Sequence, residues 1–210
     1  MNKKVLIFDC GFCGAELEQR IRDALPVEVE RITIKTKHNN TEVMSTRRDI
    51  CDEVELYVGV ADVIVITNPI LASSILSELR EKFPGQKFVG YDGDSSEAIS
   101  GASELLILAP VSLRRTEAYQ WIKAKYNGID VVEPDCEKWI QATKYRNKLT
   151  SSSLLDEVKI GVRVLVLYED LLLRRDRLKE IIGWRGEIIN FEEDITKKVG
   201  KACGLTKWVA

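Results

Sequence analysis

Val5-Leu6-Ile7-Phe8-Asp9-Cys10-Gly11 is the stretch on which the fold turns. Four apolar residues in a row, with Lys3-Lys4 before them and an acid and a glycine after, suit a strand buried on both faces, as a parallel sheet requires. Residues 15–25 follow with Leu17, Ile21 and Leu25 at helical spacing, and Pro26 closes that helix. The alternation continues. Residues 27–34 alternate like a second strand, and 45–60 predict a helix with Ile50, Val54 and Tyr57 on one face. Val63-Ile64-Val65-Ile66 is a further buried strand, 70–83 the helix after it, and Pro84-Gly85 turns the chain into a strand at 87–91. Strand then helix, repeated, predicts an α/β fold with a parallel sheet covered on both faces.

The second half begins the same pattern again. Strand 105–108, helix 111–126 and strand 129–132 lead through helices 136–148 and 152–158 to strand 164–167, helix 171–182, strand 187–189 and helix 192–202. The strands at 5–8, 64–66 and 87–90 are each echoed at an offset of about 100 residues, the mark of an internal duplication. The expected architecture is two similar open parallel-sheet domains related by a pseudo-twofold axis. Residues 1–92 plus 191–210 make the first and 93–190 the second. The expected binding cleft lies between them, built from the carboxyl ends of the strands, where sheets of this kind take ligands.

The chain has 210 residues, 45% of them apolar and 30% charged, which is enough for a sizeable core. Lys+Arg 31 against Asp+Glu 33 leaves a net charge of −2, a balance that argues against nucleic acid as the partner. The longest apolar runs have strand length and fall far short of a membrane span. The N-terminus turns acidic at Asp9 after four apolar residues, unlike a signal peptide. Five cysteines, an odd number, point to free thiols in a reducing, cytoplasmic setting.

Four loops stand at the predicted strand ends: residues 9–14, 67–69, 109–112 and 167–170. The first runs through Gly11 and Gly14 into a helix, and its backbone N–H groups can receive a carboxylate or phosphate. It matches neither the dinucleotide fingerprint nor a P-loop, and a plain tight turn explains its glycines equally well.

Read together, these segments resemble the aspartate/glutamate racemase superfamily, and within it the glutamate racemases. Ile7-Phe8-Asp9-Cys10-Gly11-Phe12-Cys13-Gly14 is similar to the family's opening Asp-Ser-Gly-x-Gly-Gly, and residues 61–68 to the strand entering its first Cys-Asn-Thr. Leu108-Ala109-Pro110-Val111-Ser112-Leu113-Arg114 resembles the Thr-Pro-Ala-Thr segment, with Ala118-Tyr119 where an Ala-Tyr often follows. Residues 132–139, with Asp135-Cys136, are similar to the segment bearing a Cys-Pro. Residues 166–172 resemble the Gly-Cys-Thr-His-Tyr-Pro-Leu stretch, and Ile188-Ile189-Asn190-Phe191 stands where a strand ends in Asp-Ser. The similarity runs through nearly the whole chain in the family's order. It implies a two-domain α/β protein that works without a cofactor, one cysteine on each side of the substrate's α-carbon. Inversion needs an acid/base group on each face, and thiols with tuned ionisation suit that role.

The departures matter more than the matches. Thr67 stands at the position of the first family cysteine, Leu167 at that of the second, and Glu169 at that of the histidine. Asp9, which in the family assists the first cysteine, is retained, as is Asn68, a substrate-binding position. Threonine is a poor base without a partner and leucine carries no proton, so two-thiol racemisation is not expected.

Cys10 and Cys13 form a C-x-x-C at the expected cleft mouth: a redox pair, half a metal site, or a relocated nucleophile, against small residues replacing Ser and Gly. No second C-x-x-C or nearby histidine completes a metal set, so no metal is expected. Cys51, Cys136 and Cys203 fit burial. His38, the one histidine, falls in a polar stretch that reads as a surface loop. The pairs Arg47-Arg48, Arg114-Arg115 and Arg174-Arg175 read as solvated helix faces, although Arg114 also lies where it can grip a carboxylate. Glu169 and Asp170 are either acid/base groups or helix caps.

The resulting expectation is a racemase-like protein that binds a small carboxylate or amino acid and lacks the two-cysteine machinery. Its catalytic positions are Asp9, Cys10, Thr67 and Glu169, and its substrate-binding positions Gly11, Asn68, Pro110, Ser112 and Tyr168. Two alternatives stand beside it: an isomerase, racemase or decarboxylase using a non-standard thiol or carboxylate, and a non-catalytic regulatory or interaction module. The expected partners are the small acid itself and a second copy in a homodimer, with no nucleic acid and no membrane.

Overall fold

A computed structural model of the chain describes residues 2–9, 14–34, 43–91, 99, 101–145, 154, 158–167, 171 and 174–205. It divides into two units, Met1–Ser95 with Asn190–Ala210, and Ser96–Ile189.

In the first unit, β1 (Lys3–Asp9) lies between β2 (Val27–Thr33) and β3 (Val63–Ile66), and β4 (Lys87–Gly90) follows β3, all parallel, in the order β2-β1-β3-β4. Central β1 is buried from Val5 to Asp9, whereas edge strand β2 exposes most of its residues. Because successive strand residues face opposite ways, the run Val5-Leu6-Ile7-Phe8 serves two cores at once. Leu6, Phe8, Ile64 and Ile66 meet Ile50 and Val54 of α2 (Val43–Glu55) and Leu71, Ile75 and Leu79 of α3 (Pro69–Lys82). Val5, Ile7, Val63 and Val65 meet Leu17 and Ile21 of α1 (Gly14–Ala24), together with Ile195 and Val199 from the last helix, Phe191–Cys203. That last helix belongs to the first unit because it completes this second face. Gly90 is required on β4, since a Cβ there would lie 2.9 Å from the Ala72 side chain and 3.0 Å from the Ile66 carbonyl oxygen.

The second unit repeats the topology. β5 (Glu104–Leu108), β6 (Asp130–Val132), β7 (Val162–Val166) and β8 (Gly186–Ile188) pair in parallel in the order β6-β5-β7-β8. Val5 pairs with Val63 and Leu105 with Arg163; Ile64 pairs with Phe88 and Val164 with Ile188. The register of three strands is therefore the same in both sheets at the offset read from the sequence. The remaining edge differs: Val5 pairs with Val29, but Leu105 pairs with Val131, two positions further along. Helices α4 (Val111–Arg114), α5 (Glu117–Ala124), α6 (Cys136–Tyr145) and α7 (Arg175–Ile182) belong to this unit, and the Phe191–Cys203 helix is α8. Among the described residues no helix is long and apolar enough to cross a membrane.

Three predicted helices differ in extent. The helix expected over 45–60 stops at Glu55, and the chain continues in turns to Gly59, whose φ of 81° suits glycine. The one expected over 111–126 is two, because the Thr116 side chain accepts a hydrogen bond from the Tyr119 N–H and starts a new helix. The one expected over 171–182 runs from Arg175, with Gly183 at its end in a positive-φ conformation. The helix expected at 152–158 falls almost wholly outside the described residues.

The double use of β1 makes its residues expensive to truncate. Ile7→Ala should cost about 2–5 kcal/mol in urea unfolding, against about 0.5 kcal/mol or less for Glu30→Ala on exposed β2. A cost for Ile7→Ala no larger than that of Glu30→Ala would contradict the packing described.

Candidate functional site

In both sheets the strands end where chemistry-bearing residues collect, and parity decides which face each one serves. In the first unit Asp9 continues the series Val5, Ile7 and so lies on the α1 face of β1, as its last residue. Its residue surface is 7% exposed, so the carboxylate needs a partner. Arg31 on β2 provides it. Arg31 Nη1 donates to Asp9 Oδ2 at 2.8 Å, and to Thr33 Oγ1 at 3.4 Å. Register explains the meeting, because Asp9 pairs with Thr33 and Ile7 with Arg31, which puts residues 9, 31 and 33 on one side of the sheet.

The guanidinium has a second task. Arg31 Nε donates to Glu18 Oε2 at 2.8 Å, while Arg22 donates to Glu18 Oε1 from Nη2 at 2.9 Å and Nε at 3.2 Å. Arg22 also bonds the Val29 carbonyl. A chain of charge therefore runs from β2 through α1 and back to the end of β1. The Arg22 hydrogen bond, with Arg31 adding to it against a burial penalty, holds the Glu18 carboxyl below the usual carboxylate range. Gly14 leaves the room for this arrangement: a Cβ at that position would overlap the Asp9 carboxyl group.

Thr67 follows β3 directly and is buried, and its hydroxyl donates to the Phe8 carbonyl at 3.2 Å. Its backbone N–H points to the same oxygen at 3.2 Å. Leu167 is the counterpart after β7, buried, with its N–H on the Leu108 carbonyl at 2.9 Å. Asn68 is the N-cap of α3, Oδ1 accepting from the N–H groups of Ile70 at 2.9 Å and Leu71 at 3.2 Å. That use of Oδ1 turns the amide nitrogen into the end that can meet a ligand.

In the second unit Pro110 stands at the start of α4 and Ser112, within it, is exposed. Arg114 departs from the solvated reading and from the carboxylate grip alike. It is half-buried and donates to three backbone carbonyls: Ala109 at 2.9 Å from Nε, Glu133 at 2.9 Å from Nη1, and Pro134 from Nη2. Arg48 and Arg115 are exposed, while Arg174 and Arg175 are partly buried. Glu133, just past β6, accepts the Tyr119 hydroxyl at 2.5 Å and pairs with Lys123. Burial opposes its ionisation, yet the bonds from Lys123 and Tyr119 outweigh that and keep its carboxyl low. Burial pushes the Cys136 thiol up to about 12, which makes it inert near neutrality. Cys203 is buried too and Cys51 is half-buried.

Cys10, Gly11, Cys13, His38, Tyr168, Glu169 and Asp170 lie outside the described residues, as does the side chain of Arg47. Among the described residues no group of three or more His, Cys, Asp or Glu side chains is placed to hold a metal ion. Sequence reading overlooked Arg31, Glu18 and Glu133. The available signal for Arg31 was a basic residue two positions before Thr33 in the strand next to Asp9, which becomes informative only once register is known.

Gly14→Ala should displace the Asp9 carboxyl and destabilise the chain by about 1–3 kcal/mol in urea, whereas Gly85→Ala, with open space around it, should not. Equal effects would show that Asp9 does not sit on Gly14. Because the Glu18 carboxyl titrates lower folded than unfolded, its contribution is complete above the unfolded value of about 4.3 and is lost as pH falls through the folded one. Arg22→Ala should therefore make stability fall less steeply between about pH 5 and 3; an unchanged slope would remove Arg22 as the cause.

No protein-family model and no curated protein sequence matches the chain. Solved structures do. A glutamate racemase isoform from Bacillus anthracis superposes with a TM-score of 0.71 at 14% identity, over 96% of this chain and 82% of its own. An aspartate racemase homologue from Pyrococcus horikoshii gives 0.60 at 14% identity, over 96% and 99%. The maleate isomerase of Pseudomonas putida gives 0.59 at 15% identity, over 97% and 93%. The chain thus carries the two-unit α/β fold of the glutamate and aspartate racemases and of maleate isomerase.

Proposed function

We propose that the protein binds a small dicarboxylic or amino acid at the carboxyl ends of its strands and does not racemise it by a two-thiol route. The observation that carries this reading is the Asp9 seat: a buried carboxylate at the end of the central strand, held at 2.8 Å by Arg31 beside Gly14, where a Cβ would overlap the carboxyl group. Enclosing a carboxylate at a strand end costs desolvation, and groups of this kind cluster at functional sites. The names of the structural neighbours agree in chemistry, since glutamate, aspartate and maleate are all small dicarboxylates. Asn68, with its amide nitrogen available to donate, suits a ligand carboxylate.

Two side chains tell against two-thiol turnover. Thr67 and Leu167 occupy equivalent places, each the first residue after its strand and each bonded through its N–H to the neighbouring central strand. By the family resemblance of the sequence, these are the two cysteine positions. The Thr67 hydroxyl is committed to the Phe8 carbonyl, and Leu167 has no proton to give. Inversion without acid/base groups on both faces does not proceed.

Thermal unfolding with D- and L-glutamate, D- and L-aspartate and maleate tests the binding claim. A ligand at a hundredfold excess over its Kd should add about 2.7 kcal/mol. In deuterated water the α-hydrogen of either glutamate enantiomer should persist. Stabilisation by none of these acids would sink the binding claim, and deuterium incorporation would sink the claim about turnover. Exchange that disappears in Cys10→Ser would favour an enzyme with a relocated thiol.

A further inference from the structure

We infer that Arg31 is the positioning residue of the site, fixing the Asp9 carboxylate by spanning it and Glu18. This rests on the reading above that Asp9 belongs to a ligand site, and adds which group sets its direction. The planar guanidinium presents Nη1 to Asp9 Oδ2 and Nε to Glu18 Oε2, both at 2.8 Å. Two bonds from different edges of one rigid plane leave Arg31 little freedom, and Asp9 inherits that restriction. A lysine ammonium is a point charge on a flexible stem and cannot reproduce the two directions together.

The anchoring is graded along the chain of bonds. Glu18 is itself held by two bonds from Arg22, which is tied to the Val29 carbonyl on the strand that carries Arg31. Position therefore passes from backbone to Arg22, to Glu18, to Arg31 and finally to Asp9. Gly14 supports the carboxylate from below, because Asp9 rests where a side chain would otherwise project. Arg31 and Glu18 remain partly open, with side chains 32% and 23% exposed, whereas the Asp9 side chain is only 10% exposed. The partners are thus reachable by solvent and the positioned group is enclosed, the order expected when a relay serves its buried end.

The test uses the full-length chain with Arg31→Ala, Arg31→Lys, Glu18→Gln and a control, Arg20→Ala, whose exposed pair with Glu193 lies outside the relay. Calorimetric titration with glutamate, aspartate and maleate is combined with NMR of the Asp9 side-chain carboxyl carbon. Arg31→Ala should weaken binding of the tightest acid by roughly tenfold, because an Asp9 carboxylate released from its charge-assisted bond no longer holds one direction. Its melting temperature should fall further than that of Arg20→Ala, because the enclosed Asp9 carboxylate loses its partner, so binding is compared at a temperature where both variants are folded. Arg31→Lys should recover part of the affinity, Glu18→Gln should lose less than Arg31→Ala, and the Asp9 signal should move in both Arg31 variants. Native affinity together with an unmoved Asp9 signal in Arg31→Ala would overturn the inference. If the native chain binds none of the acids, the ligand reading fails separately. The Asp9 signal then decides: movement in Arg31→Ala but not in Arg20→Ala upholds the positioning role, and no movement overturns it. Should Arg31→Ala not fold, Glu18→Gln carries the same two readouts.

Discussion

The alternation of side chains along β1 is the constraint on which the rest depends. A central parallel strand has helices on both faces, so every residue from Val5 to Phe8 is committed to one core or the other. Parity then extends to Asp9, which emerges on the α1 face and has no freedom to choose another. A one-residue slip would turn Asp9 to the face occupied by Phe8 and Ile66 and take it away from Arg31 and Gly14. The apolar packing of the sheet thus aims a polar group, and the sheet's stability is what keeps it aimed.

The two units share strand order and most of their register, yet their carboxyl ends differ in chemistry. In the first, arginine and carboxylate side chains are arranged around Asp9. In the second, the Arg114 guanidinium is absorbed by three backbone carbonyls and joins the segment after β5 to the segment after β6. One arginine orients a side chain and the other braces a loop. The difference follows from where each starts: Arg31 is on an edge strand beside an acid, whereas Arg114 ends a four-residue helix beside the carbonyls of Ala109, Glu133 and Pro134. Similar folds therefore carry different side chains at their strand ends, and the chemistry of each unit lies in its own residues.

Much of the scaffold was legible before any coordinates. Buried strands announce themselves as short apolar runs, and helices as 3.6-residue periodicity, because both are local consequences of burial. The echo between residues 5–8 and 105–108 foretold two sheets of one topology. Helix ends were harder to read. The Thr116 cap and the Gly59 turn are single-residue devices inside otherwise helical patterns. Of the candidate site, Asp9, Thr67 and Asn68 drew notice by their place at strand ends and by the family resemblance. Arg31 and Glu18 were not, because their significance lies in pairing across 22 and 13 positions of chain.

The sequence by itself determined the strand–helix alternation, the two-sheet arrangement and the identity of the residues at the strand ends, since each depends on local pattern and hydrophobic period. Only the tertiary structure decided which charges meet. Register between parallel strands is set by packing over the whole sheet, and it is register that brings Arg31 within 2.8 Å of Asp9. Hydrogen bonds act over a few ångströms in space, and distance along the chain carries no record of them.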